Sequence, residues 1–365
     1  TFRKISIFTS FISSAKFLLM KSPRFSKHQT LDLRKVGRSG NGALPIITAL
    51  ALSLVPRTDA ATWYAASNGS STQGTYSNPW SVPYSVSKSN TLLKPGDTVI
   101  FKAGGTYTCN GYYSAVDGTN RLVFEVSGTP TAKITYKSEQ LWGFSFNGGL
   151  LLPETTSNVI LQGLRIYSSD CADRNRYGNS INGRPYTHPP GIEELGTGNY
   201  FLHNLVENAG HPGIASWSTT KGKYIAGNII RFVGYNDYTA DPAIGISSWG
   251  GASRGSAMYL QNLNNTSDAI INGNITYHNY QSDLYATSST DVWRLKFNQN
   301  IVCPNVTAIQ YDLRHGTPEG VLVNSNYIWG AQGSSVTLGY PRTFDGGGTN
   351  VHVVNNYMVS GKVNF

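Results

Sequence analysis

The sequence predicts an all-β chain, a single-stranded right-handed parallel β-helix with an N-terminal cap. Three observations predict it: a composition suited to strands and tight turns, an asparagine recurring between short apolar segments, and a further apolar segment after each recurrence. The chain holds 39 Gly and 22 Tyr but only 3 Met, and 13% of its residues are charged. Such a balance disfavours helices and favours strands joined by turns.

The recurrence reads YFLHNLV, YIAGNII, IINGNIT, KFNQNIV, LVNSNYI and VVNNYMV, with Asn204, Asn228, Asn274, Asn300, Asn326 and Asn356 in register. Their spacings are 24, 46, 26, 26 and 30 residues, the 46 being one coil enlarged by an insertion. Repeats of this period signal a solenoid. Asn tolerates the left-handed backbone of a sharp corner, and stacked amides bond to their neighbours above and below. The earlier segment VILQGLRI fits the frame with Gly163 at the Asn position. The third segments are GIEEL, GIASWS, AMYLQN, DLYATS, AIQYDLR and SVTLGYP. Strand alternation sends Ile192, Ile214, Met258, Leu284 and Ile309 inward to form one core stack.

Residues 1–60 are set apart as leader and signal peptide, with Met20 the expected start. A basic stretch (Lys21 to Arg38) precedes the apolar run Ala43 to Val55 and a small-residue exit at Thr58-Asp59-Ala60-Ala61. An apolar run of about 13 residues has signal-peptide length, and about 20 are needed to span a bilayer; a retained anchor is the competing reading. The leader carries 10 of the 29 Lys and Arg and 2 of the 20 Asp and Glu, so the net charge falls from +9 to +1 without it. That excludes electrostatic steering to nucleic acid and leaves no membrane association after cleavage. The expected location is secreted, extracellular or periplasmic. Residues 61–97 form the cap that shields the first strand edges, and 98–365 form the β-helix. The chain stops at Phe365 directly after a repeat strand, which predicts a truncated C-terminus. Three cysteines, Cys109, Cys171 and Cys303, allow one disulfide and define no framework.

The segments TWYAASNGSSTQGTYSNPW, LKPGDTVIFKAGGTY and SGTPTAKITYKSE, followed by GIEELGTGNYFLHNLVENAGHPGIASWS, KYIAGNII and RGSAMYLQN, resemble a group of bacterial exported right-handed β-helix proteins of the pectate-lyase-like superfamily. The resemblance covers residues 62–365. It implies the fold, and it implies carbohydrate chemistry only broadly, because members include lyases, hydrolases, epimerases and binding proteins. One departure stands out. Ser256 occupies a place in Arg254-Gly255-Ser256-Ala257 where a histidine often stands in that group.

Turn lengths place a candidate groove. The turn before the third strand is short at Asn208 to Pro212 and long in the neighbouring coils, Ser168 to Pro190 and Gly234 to Arg254; long loops on a repeat scaffold commonly carry function. The outward columns of the adjoining strand would be Glu193, Ala215, Tyr259, Tyr285 and Gln310, and beside it Trp217, Gln261, Thr287 and Asp312. Aromatic rings beside amides and carboxylates suit a polysaccharide; stacked aromatics also stabilise strand pairs unaided. β-Elimination next to a uronic acid needs a base and a cation for the enolate-like anion. His211 is the candidate base, Arg254 the cation and Tyr259 the acid; a turn histidine can equally be a plain hydrogen-bonding residue. Glu193, Trp217, Gln261, Tyr285 and Gln310, with the cluster Asp312, Arg314 and His315 further along, are candidate substrate contacts.

A glycoside hydrolase would need two carboxylates about 5–10 Å apart, and the adjacent Glu193 and Glu194 point to opposite sides of a strand. No metal-ligand spacing such as CxxC or HExxH occurs, so no cofactor is assigned; a Ca²⁺ site would need clustered oxygen ligands, for which the acids between Asp237 and Asp241 are candidates. The leading expectation is a polysaccharide lyase on an acidic glycan. Its competitors are a non-catalytic glycan-binding or adhesive protein, and an assembly role for the terminal coil. Sequons stand at Asn68, Asn264, Asn265, Asn274 and Asn305.

Overall fold

The computed structural model describes residues 60–109, 121–169, 190–209, 212–217, 222–234, 256–262, 267–279, 283–287, 294–304, 309–312, 320–329, 336–338, 350–359 and 363–364. They wind into a right-handed parallel β-helix, the sense that twisted strands impose on parallel connections. Three parallel sheets run along it. Sheet A has eleven strands, from Trp80–Ser81 and Thr62–Ala66 at one edge to His352–Val354 at the other. Sheets B and C have nine each, Thr106–Thr108 to Tyr357–Met358 and Arg121–Val123 to Val363–Asn364. One coil shows the pattern: Tyr200–Leu202 in sheet A, Leu205–Glu207 in sheet B, Ile214–Ser216 in sheet C, then Tyr224–Ala226 back in sheet A.

Alternation fills the interior with one or two residues per strand. Leu161, Phe201, Ile225, Ile271 and Phe297 stack from sheet A. Phe146, Ile166, Val206, Ile230, Thr276 and Val302 stack from sheet B. Ile192, Ile214, Met258, Leu284 and Ile309 stack from sheet C, all fully buried as their spacing required. Asn228 and Asn274 occupy adjacent coils, so the 46-residue interval is one coil.

The corner between sheets A and B carries a continuous amide ladder. Asn204 Nδ2 donates to Asn228 Oδ1 at 3.1 Å, and Asn228, Asn274, Asn300 and Asn326 each donate to the next asparagine's Oδ1 at 2.9–3.0 Å. Each backbone N–H of the run donates to that same oxygen. The left-handed residue is not the asparagine but the one before it: His203, Gly227, Gly273, Gln299, Ser325 and Asn355, with φ between 55° and 65°. Gly163 therefore aligns with that position, and Leu164 takes the ladder slot, its N–H donating to Asn204 Oδ1 at 3.0 Å. Asparagine is selected here for its amide, which turns two buried backbone groups per coil into bonded ones. Its burial also closes Asn274 to glycosylation in the folded chain.

The corner between sheets B and C is tight. A Cβ at Gly191 would run into Val206, and one at Gly213 into Ile230. One coil on from Ile230, sheet B offers the smaller Thr276, and Asp283 fits: it accepts from Thr276 Oγ1 at 2.9 Å and Asn279 Nδ2 at 2.8 Å. Burial holds the Asp283 carboxyl up at about 7, those two donors opposing.

At the N-terminal end Trp63 stacks on the fully buried Trp80, centroids 4.8 Å apart. Asp97 of the PGD turn explains that motif, accepting from Ala61 N, Trp63 Nε1 and Lys94 N at 2.8–3.0 Å. One short helix, Val82–Val86, starts at Ser81, whose hydroxyl accepts from Tyr84 N. Among the described residues, no helix is long and apolar enough to cross a membrane. Cys109 and Cys303 are free thiols, raised by burial to about 12 and about 11; Cys171 lies outside the described residues.

Candidate functional site

The two outward columns of sheet C hold the register that strand alternation requires. Glu193, Ala215, Tyr259, Tyr285 and Gln310 follow one another on successive coils. The rings of Trp217 and Tyr259 lie 4.8 Å apart, and those of Tyr259 and Tyr285 5.7 Å apart. Gln261 Nε2 donates to the Tyr259 hydroxyl at 2.7 Å. Ala215, between Glu193 and Tyr259, contributes only a methyl group, so the column dips there and Trp217 leans across to the tyrosine.

This face is more enclosed than its polarity suggests. Glu193 and Tyr259 are each 8% exposed and Gln261 7%, while Tyr285 has no exposed surface. Tyr285 packs beside Tyr259 from the next coil of the column, and Trp217 is the partly exposed member of the group. His211, Arg254, Arg314 and His315 lie outside the described residues, as do the Asp237 to Asp241 acids and the side chains of Gln310 and Asp312. Among the described residues no three His, Cys, Asp or Glu side chains cluster as a metal site.

Two charged features on these strands were not anticipated. The Arg121 guanidinium forms a buried ion pair with Glu193, two coils further along sheet C. Two coil spacings are about 9.6 Å, a span the long arginine covers because Gly149, directly beside it, has no side chain in the way. Nothing in a single sequence reports that pairing.

The second feature lies inside the coil, on the strands that carry Ala215 and Tyr259. Glu194 and Asn199 in one coil, and Ser216 and Lys223 in the next, form a polar plug between Leu152 and Val159 on one side and Leu260 and Ala269 on the other. Ser216 Oγ donates to Glu194 Oε2 at 2.8 Å, and Lys223 Nζ sits 3.9 Å from that oxygen. Lys223 also bonds to Ser216 Oγ and to the Gln261 carbonyl. Desolvation pushes the Glu194 carboxyl up, with Lys223 opposing, and draws the Lys223 ammonium down to about 8, with Glu194 opposing. Lys223 ties the plug to the outer strand through the Gln261 carbonyl, while the main-chain ladder joins Trp217 N to Glu194 O and Gln261 N to Ser216 O, both at 3.0 Å. A signal for Lys223 was present. Counting five residues back from each ladder position sets it in the slot of Val159, Ala269, Leu295 and Val321.

No family model matches the sequence, and no curated protein matches it. Solved structures with similar winding include pectate lyase Pel9A, at 14% identity and a TM-score of 0.48, covering 83% of this chain and 76% of that one. An alginate lyase from Paenibacillus sp. str. FPU-7 aligns at 12% identity and a TM-score of 0.42, covering 83% of this chain and 97% of that one. A GH136 lacto-N-biosidase from Eubacterium ramulus aligns at 11% identity and a TM-score of 0.36, covering 84% and 68%.

Proposed function

We propose that this is an exported carbohydrate-active protein that lays an extended acidic glycan against the outward face of sheet C and cleaves it by β-elimination. The observation that supports the reading is the convergence around Ala215 of a partly exposed indole, an amide-bonded phenol and a buried arginine–carboxylate pair. Indole and phenol rings meet the apolar faces of sugar rings, and amides meet their hydroxyl edges.

In the reaction a base takes the C5 proton, the C4–O bond breaks, and the leaving oxygen receives a proton as the C4=C5 double bond forms. Tyr259 is the proton donor to that oxygen, with the Gln261 amide stabilising the phenolate left behind. His211 and Arg254, one and two residues before the described segments that open at Pro212 and Ser256, are the base and the cation for the developing anion. Hydrolysis fits less well, since Glu193 is bound to Arg121 and Glu194 points into the core.

The burial of Tyr259 and Tyr285 favours one second reading, a binding surface that contacts glycan through Trp217 without reaction. Incubation with polygalacturonate, alginate and glycosaminoglycans separates the two. The lyase reading expects unsaturated uronate absorbance, reduced at least about a hundredfold in Tyr259→Phe. Retention of glycan with no product supports the binding reading, and neither product nor retention contradicts both.

A further inference from the structure

The segment Ala66 to Pro79 borders a cavity of about 620 Å³ at the N-terminal end of the coil. Three stretches meet there: 66–71, 77–79 and 102–105. The first and last follow the sheet A strands Thr62–Ala66 and Thr98–Phe101, and 77–79 leads into the edge strand Trp80–Ser81, so the cavity opens beside sheet A and not on sheet C.

Its walls are held by residues that must stay small. A Cβ on Gly69 would collide with the Trp80 carbonyl, and one on Gly105 would meet the Phe144 ring at 2.8 Å. Gly104 takes a left-handed φ of 79° with open space around it.

Three of the polar side chains facing this space are uncommitted, while Ser71 Oγ accepts from Gln73 N at 2.9 Å and Ser77 Oγ from Asn78 Nδ2 at 3.4 Å. Ser67, Asn68 and Ser70 are exposed, and among the described residues their side chains make no hydrogen bond. By contrast, Lys102 is occupied: Nζ donates to the Tyr76 carbonyl at 3.1 Å and lies 4.1 Å over the Tyr76 ring. Tyr76 itself, next to the lining residue Ser77, is 54% exposed.

We propose that this cavity is a second carbohydrate site, separate from sheet C, that takes a neutral mono- or disaccharide unit. Three features select that chemistry. Hydroxyl and amide groups both donate and accept, matching sugar hydroxyls. Lys102 is the lone charged residue of the lining, and its ammonium, held by the Tyr76 carbonyl and ring, offers a uronate or phosphate one point contact and no second cation to form a bidentate clasp. The volume lies within the range of about 300–1,000 Å³ usual for small-molecule sites, and the exposed Tyr76 ring adds an apolar surface at its margin.

The test is saturation-transfer NMR on the whole chain, produced in a host that does not glycosylate the Asn68 sequon. The probes are cellobiose, maltose, lactose, mannobiose and digalacturonate. The double variant Asn68→Ala/Ser70→Ala changes only exposed side chains and leaves the fold intact, and Trp217→Ala serves as the sheet C control. The proposal expects transfer to at least one neutral disaccharide, reduced at least fivefold in the double variant and unchanged in Trp217→Ala. It is overturned if no neutral disaccharide shows transfer, if the double variant leaves transfer unchanged, or if digalacturonate alone depends on Asn68 and Ser70. Failure of the sheet C reading would appear separately, as digalacturonate transfer that Trp217→Ala does not alter, or as no digalacturonate transfer at all.

Discussion

The corner between sheets A and B and the outer face of sheet C lie on the same coils and are built on opposite plans. The corner repeats one solution: a left-handed residue, then an asparagine whose amide serves the next coil. Sheet C changes at every coil, presenting a paired glutamate, an alanine, a hydroxyl-bonded tyrosine and a buried tyrosine at one register position. The regular corner sets the pitch. The irregular face spends interior space on charges that a uniform apolar stack would exclude, and such departures from local consistency are where function concentrates.

If the corner bears the stability, its removal should cost most. Asn274→Ala strips a side chain that donates to Ile225 O and Asn300 Oδ1 and accepts from Asn228. Urea unfolding should show a loss of about 4 kcal/mol, because several buried groups are left unbonded. The outward Asn272→Ala, on the adjacent sheet A strand, should stay within about 0.5 kcal/mol. Equal effects at the two positions would remove the distinction.

The buried pair on sheet C comes next. Glu193→Ala strands the Arg121 guanidinium and should cost about 3 kcal/mol, whereas Arg121→Met combined with Glu193→Leu should recover most of that loss. A double variant no better than the single one would mean that the glutamate matters for some reason other than its charge.

A smaller, pH-dependent effect belongs to Asp283. Its folded value of about 7 lies above the unfolded value of about 3.9, so the folded state holds the proton more tightly. The contribution of this group is fully present below about pH 4 and is lost as pH rises through about 7. Unfolding followed from pH 5 to pH 8 should show wild type losing stability relative to Asp283→Asn, by about 2 kcal/mol of an upper bound near 4. An unchanged difference across that range would show that Asp283 is ionised throughout.

The repeat made the solenoid legible, since six asparagines in register fix the coil length and alternation then fixes every inward residue. It placed the left-handed corner one residue late, because Asn and Gly both favour that backbone and the amide's second role is visible only once coils stack. Trp217, Tyr259 and Gln261 could be grouped from strand period alone. Arg121 could not, because its partner is 72 residues away and its path depends on Gly149 having no side chain. Lys223 was legible in principle, as a lysine in an apolar slot, but strand reading begins at Tyr224 and passes over the residue before it.

Affinity electrophoresis of wild type and Trp217→Ala through gels containing polygalacturonate or alginate tests the glycan-binding face most directly, whether or not cleavage follows. Wild type should be retarded by at least one of these polymers, and the variant's Kd should be weaker by at least about tenfold, the worth of one well-placed aromatic contact. Wild type that migrates freely through both gels, or a variant retarded as strongly as wild type, would contradict the glycan-binding reading.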